Sequence, residues 1–593
     1  MPVKITTFFG RRAFLEALGR LAAIVAVGPA FLGFDNLKRQ QPKRPDWPDE
    51  NAWEALRNQV QGRLIRVVSP LEACKTSPAT SACAKTLEKL KNPFYLEQQP
   101  GATQTTGWQD AWTAQVSPFA VAAETPSDIV AAVNFAREYG VKLVIKSTGH
   151  DYLGRSNAAD SLLVWTHKMR AVTVHDSFTP AGGTGAGVPA VTVQAGTRWL
   201  EAYEAVTNQH GRYVQGGGCT SVGTTGGFTL GGGFGALSKR FGSAAGSMLE
   251  AELVTADGRL LLANEHQHSD LFWALRGGGG GTFGVVTRLT LRTHESPKSI
   301  GGLNGTIQAS SDEAFQKLLA RFIQFYPENL NNQNWGETVK LTPTNELKLS
   351  LTFLDLSEEE ARQIWKPLQD WITVRPDDYS GELSFMALPF RDLWNLDYWL
   401  KNNPAVVQVD NRKGQPQGQF WWSTNQKAVS EYIYNYKSRW LPAHLFAEPE
   451  KLADTLFATS RHWEFSLYVN KGLAGAPDET LERDRKTSIN PAVFEAAAWI
   501  LMAASETHAF PGVPGQEPDH EKGKAIADKI DAGMEILRQA TPGAGTYSNE
   551  ADYHEPDWQR AFWGTHYPRL LAIKQQYDPG NMFRTHHSVG SEV

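Results

Sequence analysis

The chain of 593 residues has only three cysteines: Cys74, Cys83 and Cys219. It has no strong excess of either charge. Its 58 Lys and Arg stand against 63 Asp and Glu, a formal net charge of −5, so the basic face of a nucleic-acid binder is not expected. There is no repeat of fixed period and no long low-complexity tract. The apolar run from Leu21 to Phe34 is about 14 residues, too short for a comfortable membrane span. No glycine cluster has the G-x-G-x-x-G spacing between a strand and a helix, which argues against a nicotinamide-binding Rossmann domain. No metal-ligand set is read from the sequence.

Glycine is abundant, with 53 residues, and it is clustered. Gly216-Gly217-Gly218-Cys219, Gly226-Gly227, Gly231-Gly232-Gly233 and Gly277 to Gly281 abut apolar strands rather than linker sequence. Without a Cβ, backbone N–H groups crowd around an anionic or flat ligand. Several such clusters together imply a large ligand with a pyrophosphate.

The length exceeds one ordinary core, so two large domains, or one domain with a big insertion, are expected. Residues 1–34 contain Gly10-Arg11-Arg12-Ala13-Phe14-Leu15 before the apolar run, which resembles a twin-arginine signal. That pattern predicts handling by the twin-arginine export machinery and delivery to a bacterial periplasm or the medium. The alternative is a basic N-terminal helix packed on the protein. Gly28-Pro29-Ala30 is a poor cleavage site, so retention as an N-terminal anchor is a third outcome; no other membrane span is expected. In an oxidising compartment Cys74 and Cys83 are well placed to close a short loop as a disulfide. Cys219 is then left over, either as a buried inert thiol or as a residue with a task.

Residues 35–114 read as a charged, proline-rich linker to about residue 60 followed by an N-terminal segment. An α/β pattern starts at Pro118. Phe119–Glu124 is a short apolar run. Thr125-Pro126-Ser127-Asp128 supplies an N-cap, Pro at the first helical position and an acidic N3, and Gly140 can end the helix. Val141–Lys146 reads as a strand that runs directly into Ser147-Thr148-Gly149-His150, placing His150 in a strand-end turn, where ligand-binding groups of α/β folds lie. Val191–Val193 predicts a strand and Ala195–Gln209 a helix. Leu249–Thr255 and Gly258–Leu262 read as a hairpin with Asp257-Gly258 in the turn. From about residue 298 aromatics rise. Leu347, Leu349, Leu351 and Phe353 alternate as a strand, Glu358–Ile372 as a helix, and Phe465, Leu467 and Val469 as another strand. This pattern predicts an antiparallel sheet backed by helices.

Several segments resemble one family. Lys146-Ser147-Thr148-Gly149-His150-Asp151-Tyr152-Leu153-Gly154 is similar to the histidyl-FAD turn of berberine-bridge-enzyme-like oxidases, members of the vanillyl-alcohol-oxidase superfamily. Gly218-Cys219-Thr220-Ser221-Val222-Gly223, continuing through Gly226, Gly227 and Gly232 to Gly235, resembles the cysteinyl-FAD loop. Asp270–Arg276, the glycine run and Thr282-Phe283-Gly284-Val285-Val286 resemble a third block. Tyr547-Ser548-Asn549-Glu550 and Tyr577-Asp578-Pro579-Gly580-Asn581 resemble the C-terminal segment.

The resemblance implies an α+β fold. A two-part PCMH-type FAD-binding domain would span 115–297, a substrate domain 298–540, and a C-terminal segment 541–593 would return to the FAD domain. It further implies FAD joined through its 8α-methyl to His150 and through C6 to Cys219. The other expected cofactor contacts are Ser147, Thr148, Gly149, Asp151, Gly154, Gly218, Val222, Gly223, Gly226, Gly227, Gly232, Gly284, Val286 and Asn581. Three departures from plant members stand out: a longer loop at Thr224-Thr225-Gly226-Gly227, Phe234 in place of Tyr, and Glu550 in place of Tyr. Together they resemble fungal alcohol-oxidase-like members, including isoamyl alcohol oxidases.

The implied reaction is oxidation of a hydroxyl-bearing carbon of a small alcohol or sugar, with O2 reduced to H2O2. Val222 matches a position where family oxidases carry a small side chain that leaves oxygen a path. The candidate bases and substrate contacts are Glu464 and Tyr468 on the second-domain strand, Tyr547 and Glu550 near the C-terminus, and Tyr152 in the histidyl turn. Alternation puts Glu464, Ser466, Tyr468 and Asn470 on one strand face, lining a cavity or facing solvent. The competing readings are a flavin dehydrogenase that passes electrons to a quinone or cytochrome, and a flavin-loaded binding protein without turnover.

Overall fold

A computed structural model describes residues 47–592; the arginine pair and apolar run of the expected export signal lie outside the described residues. The linker expected to reach residue 60 ends sooner, because Glu50–Gln59 is a helix capped by Asp49, whose carboxylate accepts from Ala52 N at 2.8 Å. Its Trp53 stacks on Phe119 with ring centroids 4.2 Å apart. This apolar anchor holds the segment against the first sheet.

That sheet has the order Leu64–Arg66, Phe119–Ala122, Ser161–Trp165, Lys142–Lys146. Its last three strands are parallel and the first is antiparallel. The central strands are buried throughout, as parallel strands covered on both faces require. The helix Pro126–Tyr139 connects two of them. The Asp128 carboxylate accepts from Thr125 N at 3.0 Å, and Gly140 ends the helix at φ +63°.

A second, antiparallel sheet runs Leu260–Asn264, Met248–Val254, Val285–Glu295, Val188–Gln194, Val172–Phe178, with Arg212–Val214 paired to the far end of Val285–Glu295. The helix expected from Ala195 begins only at Trp199 and passes into π-helical turns over Glu204–Gln209. Residues 195 and 196 are held in the loop instead: Ala195 N donates to Thr287 O and Gly196 N to Met169 O.

The third sheet has ten strands and is antiparallel except at one edge. Its main path is Tyr379–Ser380, Ser299–Ala309, Glu346–Leu354, Trp335–Leu341, Phe465–Tyr468, Ala496–Thr507, Glu431–Pro442, Thr105–Trp108, Trp112–Thr113. Thr105–Trp108 comes from the N-terminal segment and pairs in parallel with Glu431–Pro442. One face carries Leu349, Leu351, Phe353, Leu467, Ile500 and Met502, packed with Phe315, Phe322, Trp365, Leu456 and Met534 from the helices Asp312–Asn329, Glu358–Thr373, Pro449–Ser460 and His520–Ala540. This is the expected sheet backed by helices, and the expected α+β architecture. The C-terminal helix Tyr567–Tyr577 is tied to the third family block: Lys574 donates to Thr282 O at 2.8 Å and the Tyr577 hydroxyl to Asp270 at 3.0 Å. Among the described residues no helix is long and apolar enough to cross a membrane.

The strand Phe465–Tyr468 alternates between this core and the opposite face. Truncation of buried Leu467 to Ala should cost about 2–5 kcal/mol, whereas Ser466→Ala should be near neutral. Denaturant midpoints of the two variants check the assignment of faces.

Candidate functional site

The strand Lys142–Lys146 ends in a turn that brings polar groups of three elements together. Ser147 Oγ donates to Ala195 O at 2.7 Å, Gly223 N donates to Thr148 Oγ1 at 3.1 Å, and Gly149 adopts φ +85°. Next in the chain, His150 Nε2 lies 2.9 Å from Ser221 Oγ, and Cys219 Sγ lies 3.6 Å from the same hydroxyl. His150 and Cys219 thus flank one side chain. Burial pushes the His150 imidazole down to about 4, which keeps it neutral at physiological pH. Asp151 accepts from Arg155 N and, at 2.8 Å, from Arg155 Nε, which closes the turn on itself. Cys74 and Cys83 form the expected disulfide, leaving Cys219 the free cysteine among the described residues.

A groove runs between this turn and the glycine loops. Its walls include Ser147–Asp151, Val222, Gly223, Gly226, Gly227, Gly280, Gly281, Gly284 and Val286. A Cβ added at Gly227 would meet nothing within 4 Å and would stand in the groove itself. At Gly280 it would lie 2.7 Å from Gly227 Cα, so the two glycine runs are pressed together. Such a cradle of bare backbone suits a flat, pyrophosphate-bearing ligand, and FAD fits it. Of the other expected contacts, Gly218 lines the neighbouring cavity, and three lie away from both. Gly154 backs onto Trp112, whose ring would be 2.6 Å from its Cβ. Gly232, at φ +120°, receives Ala245 N in the loop behind the groove. Asn581 donates to Gly590 O at 2.8 Å in the C-terminal turn. All three shape the scaffold.

A second cavity of about 350 Å³ shares His150, Val222 and Phe228 with the groove. Gly218, Cys219, Tyr152, Tyr468 and Glu550 line it, as does Lys471. The Glu550 carboxylate takes the Lys471 ammonium as its ion-pair partner, and the Tyr436 hydroxyl stands 3.5 Å from the same oxygen. Lys471 Nζ lies 4.5 Å from the centre of the Tyr468 ring and 4.2 Å from that of Trp499. Tyr152 stacks on Tyr436 at 5.0 Å. Burial, reinforced by nearby carboxylates, raises the Tyr152 and Tyr436 phenols well above their usual range and Tyr468 likewise. Burial keeps these phenols protonated, and the Tyr436 hydroxyl is turned toward Glu550.

Two expected catalytic candidates are not brought to this cavity. Glu464 lies half exposed with its carboxylate 2.9 Å from Lys340 Nζ, because the strand begins only at Phe465 and residue 464 falls on the solvent side of its end. Tyr547 is buried behind the glycine loop, where its hydroxyl accepts from Gly233 N at 3.1 Å and Asn549 Nδ2 at 2.8 Å. The missed residues are Lys471, Tyr436 and Glu337. The Tyr432-x-Tyr434-x-Tyr436 alternation signals a strand, but a register irregularity between Ile433 and Asn435 moves Tyr436 away from the packing partners of Tyr432 and Tyr434. Lys471 sits just past the end of Phe465–Tyr468, so period-2 reading does not reach it.

The FAD binding domain family matches residues 118–264, and the Berberine and berberine like family matches 546–590. The chain is 31% identical to the FAD-linked oxidoreductase ZEB1 of Gibberella zeae, over 92% of this chain and 91% of that protein. The crystal structure of the VAO-type flavoprotein MtVAO615 from Myceliophthora thermophila C1 superposes with a TM-score of 0.75 at 26% identity, over 93% and 97% of the two chains. Glucooligosaccharide oxidase from Acremonium strictum, described with a 6-S-cysteinyl, 8α-N1-histidyl FAD, has the same fold, with a TM-score of 0.60 at 20% identity over 81% and 92%. These relatives are fungal, and they lend no support to the expectation of a bacterial source.

Glu431, buried near Tyr152 and Tyr436, is pushed by burial from 4.5 up to about 7. Between those values the folded chain holds a proton that the unfolded chain releases, so this contribution to stability is present at low pH and lost as pH rises through about 7. Glu431→Gln, permanently neutral, should melt above the parent at pH 8, and the difference should vanish near pH 4. Melting curves at the two pH values check it.

Proposed function

This chain is an FAD-linked oxidoreductase of the berberine-bridge-like, vanillyl-alcohol-oxidase type, and from that premise we propose that it oxidises a hydroxyl-bearing carbon of a small alcohol or sugar with FAD attached at both His150 and Cys219. The observation that carries the proposal is the Glu550–Lys471 ion pair in a cavity whose wall also holds His150 and Cys219. Bound in the groove, FAD would supply the two-electron acceptor, with O2 reduced to H2O2 as the terminal acceptor.

The chain's own residues handle the proton. The Glu550 carboxylate receives the substrate's O–H proton, and Lys471 holds that carboxylate in the cavity as its ion-pair partner. Tyr152 and Tyr436, kept protonated by burial, donate hydrogen bonds to the substrate oxygen and to Glu550. Val222, in the wall shared by groove and cavity, is small enough to leave O2 an approach. The two covalent attachments are supported by the convergence of His150 and Cys219 on Ser221. The Cys74–Cys83 bridge supports an oxidising, secretory destination.

Acid-precipitated holoprotein should stay yellow. His150→Ala and Cys219→Ala should each retain flavin through the remaining bond, and flavin lost to the supernatant from either single variant would rule out the two-point attachment. Glu550→Gln should slow anaerobic flavin reduction by about 10²–10⁴-fold against a panel of primary alcohols, aldoses and oligosaccharides. A flavin that no member of the panel bleaches would point to a binding protein. Substrate oxidation in air without peroxide would point to a dehydrogenase.

A further inference from the structure

Lys146 is the last residue of its strand, one position before the turn that carries His150. It is 2% exposed. Its ammonium donates to three carbonyls of one short segment: Gln99 O at 3.0 Å, Pro100 O at 2.5 Å and Ala102 O at 2.9 Å. Among the described residues no carboxylate pairs with it. A buried ammonium satisfied only by neutral oxygens is a costly way to end a strand. Burial accordingly pushes Lys146 down to about 7. An aliphatic side chain would fill the same space without that cost, so the arrangement calls for a return.

The return lies in what the ammonium holds. Residues 99–104 form a strap across the back of the histidyl turn. Gln104 N donates to Gly149 O at 3.0 Å, and Asn157 Nδ2 donates to Pro100 O at 3.2 Å. A Cβ at Gly149 would lie 3.4 Å from Lys146 Cδ and 3.7 Å from Ala102 O, so lysine stem, strap and turn are in close layers. The strap is anchored in turn: Ala102 packs with Leu90, Leu96 and the Cys74–Cys83 bridge. The front of the turn meets the cysteinyl loop through Thr148 and Ser221, while behind it Lys146 holds the strap by three hydrogen bonds and Gln104 N joins the strap to Gly149 O.

We propose that Lys146 is a positioning residue for cofactor attachment: by fastening the 99–104 strap to the back of the turn, it holds the His150 imidazole in place for its bond to the flavin. The inference rests on the covalent reading given above. In that bond an N–C link replaces one hydrogen of the 8α-methyl and the imidazole N–H; the two electrons pass to O2, which leaves with the two protons as H2O2.

The test uses holoprotein in the Cys219→Ala background, where His150 is the remaining attachment point, with flavin absorbance of the acid precipitate as readout. C219A should keep its flavin. K146M/C219A should keep at least tenfold less, and K146R/C219A should recover most of it. K146M/H150A, attached through Cys219, should keep its flavin and a cooperative thermal transition. Equal flavin in C219A and K146M/C219A would overturn the proposal. So would loss of flavin and of the thermal transition in K146M/H150A, which would make Lys146 a general structural residue. Flavin shed by C219A itself would refute the histidyl bond, and the proposal would fall with it.

Discussion

The site comes together at one hydroxyl, held there by the hydrogen bonds around it. Ser221 Oγ lies within 2.9 Å of His150 Nε2 and 3.6 Å of Cys219 Sγ, so a strand-end turn and a distant glycine loop meet at a point. A single neutral hydrogen bond is worth only about 0.5–1.5 kcal/mol net, too little to hold two segments together. The bonds around it do that work: Gly223 N donates to Thr148 Oγ1, and Ser147 Oγ from the turn and Thr225 Oγ1 from the glycine loop both donate to Ala195 O. Glycine at 223 is forced by this closeness, since a Cβ there would stand 2.8 Å from Ser147 Oγ. At Gly231 the same reasoning applies against Asn549 Oδ1, at 2.1 Å.

The cavity beside that meeting point has its own charge economy. Lys471 is buried against aromatic faces and has Glu550 as its ion-pair partner. Removing one member of such a pair leaves an uncompensated buried charge, so the two side chains depend on one another. Glu337 lines the same cavity from a strand residue at φ +68°, its N–H donated to Asn470 Oδ1 at 3.0 Å. Asn470 in turn donates to Gly235 O at 2.8 Å, tying the ten-stranded sheet to the loop that follows Cys219. Cofactor groove and cavity are therefore braced by shared side chains.

The parts of this fold that were legible in the sequence are those with local causes. Thr125-Pro126-Ser127-Asp128 starts a helix and Gly140 stops it because caps satisfy backbone groups within a few residues. Leu347, Leu349, Leu351 and Phe353 face one core because strand side chains alternate. The misreadings share a different cause. Period-2 alternation groups Glu464 with Tyr468, but the strand is too short to carry that period to residue 464. Tyr436 hid behind a register irregularity, and Tyr547 had its hydroxyl claimed by Gly233 N and Asn549, partners that no local pattern displays.

By itself the sequence displayed the caps, strand alternation and clustered glycines of an α+β protein, because turn, cap and glycine chemistry act over a few residues, and its resemblance to FAD-linked oxidases singled out the segments that carry His150 and Cys219. Only the tertiary structure decided that both side chains flank Ser221, that Glu550 and Glu337 line the cavity and Glu464 does not, and that Lys471 is the ion-pair partner of Glu550. Those outcomes depend on the register and ends of strands far apart in the chain, and on which buried charges find a counter-ion, neither of which is encoded in any short stretch of residues.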